Sequence, residues 1–176
     1  HGMSKDGWER YKGGGTWAYD VSELGYKYNM TDVAACFGLE QLQHVQSWHG
    51  RRVEIVQRYQ NGLRNIQGLI LPQQDNQLTH AWQLFIIQIR PVEWQIDRNT
   101  MIEKLNQLGI GTSVHYIPVH IHSYYAGKYG WQPRDFPMAQ QLAETVISLP
   151  LYPALQDHEV TYIIDHIKQL WEQYSI

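Results

Sequence analysis

The chain has 176 residues, of which 43% are hydrophobic and 18% are charged, and its formal net charge is −3. This composition is typical of a folded domain, and the charge, with no Lys/Arg cluster, argues against nucleic-acid and anionic-membrane partners. The single cysteine, Cys36, excludes an internal disulfide, and no apolar run approaches the ~20 residues of a membrane span. We therefore expect a cytoplasmic protein, and because the chain begins at His1 in a motif-rich segment we expect further sequence before it.

The first thirty residues are rich in glycine and aromatic side chains without helical or strand periodicity, which favours a loop with a short helix at residues 5–11. The triplet Gly13-Gly14-Gly15 predicts a flexible surface turn. A phosphate-binding loop is the alternative, but no Lys-Ser pair follows the glycines and no strand precedes them.

A long amphipathic helix is predicted from Val33 to about Leu63. Thr31 has the position of an N-cap, and Asp32 places a negative charge in the first turn. Cys36 is predicted to be a small core residue on the apolar side of this helix. Apolar residues keep an approximately helical spacing along the segment: Val33, Phe37, Leu42, Val45, Trp48, Ile55, Val56 and Tyr59.

The remaining residues alternate between predicted strands and helices, which indicates an α/β layer. The predicted elements are a buried strand at 84–89, a helix from Asp97 to Leu108 ended by Gly109, a strand at 110–116, a helix at 136–147, an extended segment at 148–151, and a last helix capped by Asp157. The last helix has an apolar face made by Val160, Ile163, Ile164, Ile167, Leu170 and Trp171.

Three histidines lie close together at His115, His120 and His122. On a strand, His120 and His122 would share one face, a spacing found in zinc sites. No acidic partner is evident, and Pro118 interrupts a strand between His115 and His120. Metal binding, packing among neighbouring tyrosines and substrate contact all remain open from the residues alone.

The segment before the long helix combines Lys27 and Asn29 with two tyrosines. A cation, an amide donor and the free N–H groups of a helix start suit a phosphate or another anion. The alternative is a loop that only caps the helix through Thr31 and Asp32.

Six stretches, in order, resemble the DegT/DnrJ/EryC1/StrS family of sugar-nucleotide aminotransferases, in particular the branch acting on UDP- or dTDP-linked 4-keto sugars. They cover nearly the whole chain and are His-Gly-Met-Ser-Lys-Asp-Gly-Trp-Glu-Arg-Tyr (1–11), Leu-Gly-Tyr-Lys-Tyr-Asn-Met-Thr-Asp (24–32), Gly-Leu-Glu-Gln-Leu (38–42), His-Ala-Trp-Gln-Leu-Phe (80–85), Gly-Ile-Gly-Thr-Ser-Val-His-Tyr (109–116) and Ser-Leu-Pro-Leu-Tyr-Pro (148–153).

The resemblance implies an α/β fold: the C-terminal small domain of an aspartate-aminotransferase-like (fold type I) pyridoxal-phosphate (PLP) enzyme, plus the long linking helix. Residues 1–30 would end the large domain and form an active-site loop, 31–63 would be the linking helix, and 64–176 the small domain. The family works as a homodimer on a nucleotide sugar and an amino donor, with glutamate the expected donor.

The same resemblance implies site residues. Asn29 would reach across the dimer to the phosphate of the PLP cofactor. Lys27, His115 and Tyr116 would lie near the sugar-nucleotide substrate. No metal site is implied.

Two departures from the family pattern affect the expected activity. The Ser-x-x-Lys segment with the Schiff-base lysine and the Gly-Glu-Gly-Gly turn belong upstream of the first stretch and are absent here, so no catalytic residue is assigned in this chain and we expect it to be inactive alone. Gln83 also replaces the histidine of the family's His-x-Trp-His pattern. Two alternatives therefore stay open: a non-catalytic fragment or interaction domain, and a PLP-dependent sugar dehydratase of the same family.

Overall fold

The computed structural model describes residue 2, residues 20–74 and residues 77–176. The short helix predicted at 5–11 and the glycine triplet at 13–15 lie outside these residues. The chain forms two compact units, residues 1–44 and residues 45–176, and each is described by itself below.

The first unit leads into a long helix, α1, which spans Asp32–Leu63 and continues into the second unit. The predicted cap is confirmed, because the Thr31 hydroxyl accepts a hydrogen bond from the Ala34 N–H at 3.2 Å. The prediction that Cys36 is a core residue is wrong, since Cys36 is exposed on the first half of α1, where Val33 and Phe37 are also exposed. In the second unit the same helix turns a buried face inward, with Ile55, Val56, Tyr59 and Leu63.

The second unit contains a three-stranded antiparallel sheet in the order β1-β2-β3. Its strands are β1 (Leu69–Ile70), β2 (Phe85–Ile89) and β3 (Val146–Leu149). The register pairs Phe85 with Leu149 and Gln88 with Val146. The predicted buried strand is therefore confirmed as β2, whose side chains alternate between buried and partly exposed.

The described residues of the second unit form four further helices: α2 (Arg98–Gln107), α3 (Ser123–Tyr129), α4 (Pro137–Thr145) and α5 (Asp157–Tyr174). Short 3-10 turns occupy Pro91–Glu93, Val119–Ile121 and Pro133–Asp135. Helix α2 packs on β3, and α4 packs on β2.

The ends of α2 are those that the sequence predicts. The Asp97 carboxylate accepts a hydrogen bond from the Thr100 N–H at 2.8 Å, and Gly109 follows the helix in a left-handed conformation with φ of 75°. The predicted cap of α5 is off by one residue. The N-cap is Gln156, whose N–H donates to the Glu159 carboxylate at 2.7 Å, and Asp157 is the first residue of the helix.

One predicted strand is wrong, and one predicted helix is confirmed with an earlier end. Residues 110–116 do not form a strand, because their pairing with the sheet is a single bridge between Ser113 and Ser148. The helix predicted at 136–147 ends at Thr145, because Val146 and Ile147 pair with β2 and belong to β3.

The core of the second unit lies where the second half of α1, the sheet, α2 and α5 meet. The apolar face predicted for α5 is confirmed for five of its residues, and Trp171 is partly buried beside them. Fully buried side chains include Ile55, Tyr59, Leu63, Trp82, Phe85, Ile87, Met101, Leu105, Ile147 and Ile167. None of the helices among the described residues combines the length and the apolar character that a membrane span requires.

Candidate functional site

The four predicted site residues fall in the two different units. Lys27 and Asn29 lie in the first unit, on the segment that precedes α1, and His115 and Tyr116 lie in the second unit, between α2 and α3.

The segment before α1 presents its side chains to solvent. Lys27 and Asn29 are exposed, and neither forms a hydrogen bond or ion pair with any residue the structure describes. The rings of Tyr26 and Tyr28 stack with their centroids 5.5 Å apart. Lys27 lies between these two tyrosines in the chain, and Asn29 follows them.

The start of α1 adds backbone donors to this segment. Thr31 satisfies the Ala34 N–H through its hydroxyl and the Ala35 N–H through its carbonyl. The N–H groups that precede them in the first turn of a helix have no partner within the helix and attract anions. An amide donor, an ammonium group and a helix start close together have the chemistry of an anion site, and the Asn29 amide fits the phosphate of the cofactor that the resemblance implies.

His115 is held against β3 by a buried serine. Its Nδ1 lies 2.7 Å from the Oγ of Ser148, and the Ser148 side chain is buried. Ser148 also exchanges two backbone hydrogen bonds with Ser113, of 2.8 and 3.2 Å. The Tyr116 ring contacts the His115 ring edge-on at 4.8 Å and is 76% exposed. His115 and Tyr116 thus form one surface, with the histidine fixed and the tyrosine open to a ligand.

The other two histidines of the cluster face different surroundings. His120 is buried; its Nε2 lies 3.3 Å from the Gln140 Oε1, and its ring lies 4.9 Å from that of Phe136. The His122 Nε2 lies 3.3 Å from the Ile117 carbonyl oxygen. The extended strand on which these two histidines would share one face is not formed, because the segment is a 3-10 turn followed by α3. No group of three His, Cys, Asp or Glu side chains among the described residues has the arrangement of a metal site.

Sequence reasoning missed a histidine–tryptophan pair in the His-Ala-Trp-Gln stretch. The backbone N–H of Trp82 donates to the His80 Nδ1 at 2.9 Å, and the His80 carbonyl oxygen lies 2.9 Å from the His49 Nε2. Trp82 is buried with a positive φ of 48°, and its indole N–H has no hydrogen-bond partner among the described residues. The only sequence signal for this pair was the match of the stretch to the family pattern. A hydrogen bond between residues 80 and 82 leaves no periodic pattern in the sequence.

Two arginines of α1 form ion pairs with the first residue of α5. The Asp157 carboxylate lies 2.7 Å from Arg51 and 2.6 Å from Arg58. The hydrogen bond from Arg51, with the nearby charge of Arg58, holds the pKa of Asp157 below its usual value. Arg51 also donates to the Leu155 carbonyl at 2.7 Å, so this cluster fixes the loop between β3 and α5.

Comparisons with known proteins agree with this description. The model of the DegT/DnrJ/EryC1/StrS aminotransferase family matches residues 1–168. An uncharacterized protein of Methanocaldococcus jannaschii is 41% identical over 170 residues, covering 97% of this chain and 44% of the relative. The spore coat polysaccharide biosynthesis protein SpsC of Bacillus subtilis is 42% identical over 171 residues, with the same coverage of both chains.

Solved structures give the same result. A Streptococcus pneumoniae protein described as a candidate sugar aminotransferase, in its PMP form, superposes with a TM-score of 0.79 at 32% identity, covering 98% of this chain and 41% of that one. The aminotransferase TlmJ of Streptoalloteichus hindustanus superposes with a TM-score of 0.75 at 27% identity, covering 98% of this chain and 42% of that one.

The chain therefore spans less than half the length of the relatives it matches. Its helices and small sheet correspond to a C-terminal part of a fold type I PLP-dependent sugar aminotransferase, which confirms the predicted fold class. The chain belongs to the DegT/DnrJ/EryC1/StrS aminotransferase family.

Proposed function

We propose that the protein carrying this chain transfers an amino group, with glutamate as donor, to a keto sugar linked to a nucleotide, and that it acts in the cytoplasm as a homodimer with PLP. The family membership and the sugar-related relatives support this proposal. When bound, PLP supplies the electron sink that transamination needs.

The observation that carries the proposal is the exposed Lys27–Asn29 segment directly before the capped start of α1. In the proposed dimer, the Asn29 amide donates a hydrogen bond to the cofactor phosphate held mainly by the partner subunit. Its exposure supports this role, because a side chain that reaches another subunit has no need of a partner in its own unit. The Schiff-base lysine lies outside this chain in the proposal, so the chain alone has no turnover.

The remaining site residues receive the substrate in this proposal. The Lys27 ammonium pairs with phosphate oxygens of the sugar nucleotide, and the fixed His115 ring offers a nitrogen to another of its oxygens. The Tyr116 ring, largely exposed, offers a flat surface and a hydroxyl.

The proposed domain organisation assigns residues 1–30 to the end of the large domain, 31–63 to a linking helix and 64–176 to the small domain. The exposed apolar residues of the first half of α1 support an interface there, because a concentration of exposed large apolar side chains is normally covered by protein. These residues are Val33, Phe37, Leu39 and Leu42, each at least 65% exposed.

Replacement of Asn29 by alanine tests the cofactor assignment. A hydrogen bond to a charged group contributes roughly 1.5–3 kcal/mol, so we expect Asn29→Ala to weaken PLP binding by about 10- to 150-fold in the protein that carries this chain. The dissociation constant is measured by titrating the apoprotein with PLP and following its absorbance. Asn106→Ala removes another exposed asparagine, on α2, and serves as the control. Equal PLP affinity of the Asn29→Ala, Asn106→Ala and wild-type proteins would refute the assignment.

A further inference from the structure

We propose that Ser148 is a positioning residue that fixes the His115 ring as an Nε2–H hydrogen-bond donor to an oxygen of the sugar-nucleotide substrate. The inference rests on the proposed function of His115 and adds the residue that sets the orientation and tautomer of its ring.

Ser148 holds the His115 segment through three groups. Its N–H donates to the Ser113 carbonyl at 2.8 Å, its carbonyl accepts from the Ser113 N–H at 3.2 Å, and its Oγ lies 2.7 Å from the His115 Nδ1. Ser148 itself is fixed in the sheet, since it pairs with Ile86 of β2. The ring of His115 is therefore tied to the sheet, although its own segment is not a strand.

The burial of Ser148 decides the direction of the hydrogen bond to His115. Ser148 as a whole is 4% exposed, and among the described residues the His115 Nδ1 is the acceptor that lies within reach of its Oγ. A buried hydroxyl that leaves its hydrogen without an acceptor is unfavourable. Ser148 therefore donates, the Nδ1 accepts, and the hydrogen of the neutral ring resides on Nε2.

This tautomer selects the chemistry of the ligand. The His115 Nε2 has no hydrogen-bond partner in the described part of the chain, so it presents a free N–H group. Such a donor recognises an acceptor oxygen, and a nucleotide-linked keto sugar offers phosphate, hydroxyl and carbonyl oxygens. The opposite tautomer would present a lone pair and would repel phosphate and carbonyl oxygens.

His80 provides an internal reference for the same tautomer. The backbone N–H of Trp82 can only donate, so the His80 Nδ1, at 2.9 Å from it, accepts and the hydrogen of the neutral ring is on Nε2. His80 takes its partner from the backbone, and no substitution at Ser148 removes that partner.

The first experiment determines the ring tautomers of His115 and His80 by NMR in the protein that carries this chain, labelled with ¹⁵N-histidine. The His115→Gln and His80→Gln variants assign the two ring signals. We expect His115 and His80 to be Nε2–H tautomers in the wild type. In Ser148→Ala, His115 should lose this preference while His80 keeps it, and Ser148→Thr, which retains a hydroxyl, should restore it. Thr145→Val, which removes another buried hydroxyl, should leave both unchanged.

The second experiment measures steady-state kinetics of the same variants in the holoenzyme. We expect Ser148→Ala to raise the KM for the sugar nucleotide about five- to tenfold and to leave the KM for glutamate unchanged, since one neutral hydrogen bond is lost at the substrate. If Ser148 only stabilised the fold, Ser148→Ala would lower kcat and would change the KM values for the sugar nucleotide and for glutamate alike.

The outcomes separate the two proposals. An unchanged His115 tautomer in Ser148→Ala, with His80 as reference, overturns the positioning role whatever the reaction proves to be. A changed tautomer with no effect of Ser148→Ala or His115→Gln on the KM for the sugar nucleotide overturns the substrate role of His115, and with it the ligand assigned here.

Discussion

Gly68 lies where the end of α1 turns into β1 and is covered by two tryptophans. An added Cβ at this position would lie 2.2 Å from the Trp94 Nε1 and 2.3 Å from the Trp171 Cζ3. The Trp94 indole N–H donates to the Gly68 carbonyl at 2.8 Å, and the two indole rings contact edge-on at 4.9 Å. Gly68→Ala must therefore displace at least one indole from a packed pair.

The size of the effect follows from two contributions. Forcing a methyl group into a packed core costs about 1–3 kcal/mol, and a buried N–H that loses its acceptor costs about 1–3 kcal/mol. The two costs overlap, because moving the Trp94 ring relieves its share of the clash while it breaks the hydrogen bond, and the Trp171 ring must give way as well. We expect the free energy of unfolding to fall by about 2–4 kcal/mol for Gly68→Ala.

Urea denaturation followed by circular dichroism measures this difference. Gly50→Ala is the matched control, because Gly50 lies inside α1 with no atom within 4 Å of the added Cβ. That substitution should raise the free energy of unfolding by about 0.5–1 kcal/mol, since alanine is the better helix former. If Gly68→Ala is as stable as Gly50→Ala, the packing described around the two tryptophans is wrong.

Two further predictions concern α1 and its partners. The buried Tyr59 hydroxyl donates to the Pro150 carbonyl at 2.9 Å, so Tyr59→Phe should lower the free energy of unfolding by about 1–2 kcal/mol in urea titrations, and an unchanged value would show that this bond contributes nothing. Because Arg51 and Arg58 lower the pKa of Asp157 in the folded state, the ionised carboxylate stabilises the fold above its ordinary pKa near 3.9, and this contribution is lost as the pH falls. The melting temperature should therefore fall less between pH 7 and pH 2 in Asp157→Asn than in the wild type. An identical pH dependence of the melting temperature in the two proteins would contradict the ion pairs.

The sequence was most informative where a repeated pattern and a local signal agree. The apolar face of α5, the Asp97 cap of α2 and the left-handed Gly109 each depend on residues within a few positions of one another. Local rules therefore predict them. The buried face in the second half of α1 was predicted in the same way. The exposure of Cys36 and Phe37 in its first half was not, because an apolar pattern gives no information on what covers each face of a helix.

The failures occur where distant pairing decides the structure. Val146 and Ile147 continue the apolar spacing of α4, but they are β-branched residues and pair with β2, about sixty positions earlier. Residues 110–116 have strand-like composition, yet β3 offers them one bridge only, at Ser148. The contact of Ser148 with His115 spans 33 positions, and nothing in the sequence marked it.

The candidate site was predicted in part by chemistry and in part by resemblance. The residues alone predicted an anion-binding segment at Lys27 and Asn29, and the structure shows both side chains exposed before a capped helix start. The roles of His115 and Tyr116 came from the resemblance and stay predictions, although the structure adds a fixed ring and an exposed ring at these positions.

The central claim, amino transfer to a nucleotide-linked keto sugar, is tested most directly with the purified protein that carries this chain, PLP, glutamate and UDP- or dTDP-linked 4-keto sugars. The measurement follows both products, 2-oxoglutarate by a coupled assay and the amino sugar by mass spectrometry. We expect equal amounts of the two over many turnovers, with continued turnover only when both substrates are present. Consumption of the keto sugar without 2-oxoglutarate would indicate a dehydratase, and the absence of any product with PLP bound would contradict the proposed reaction.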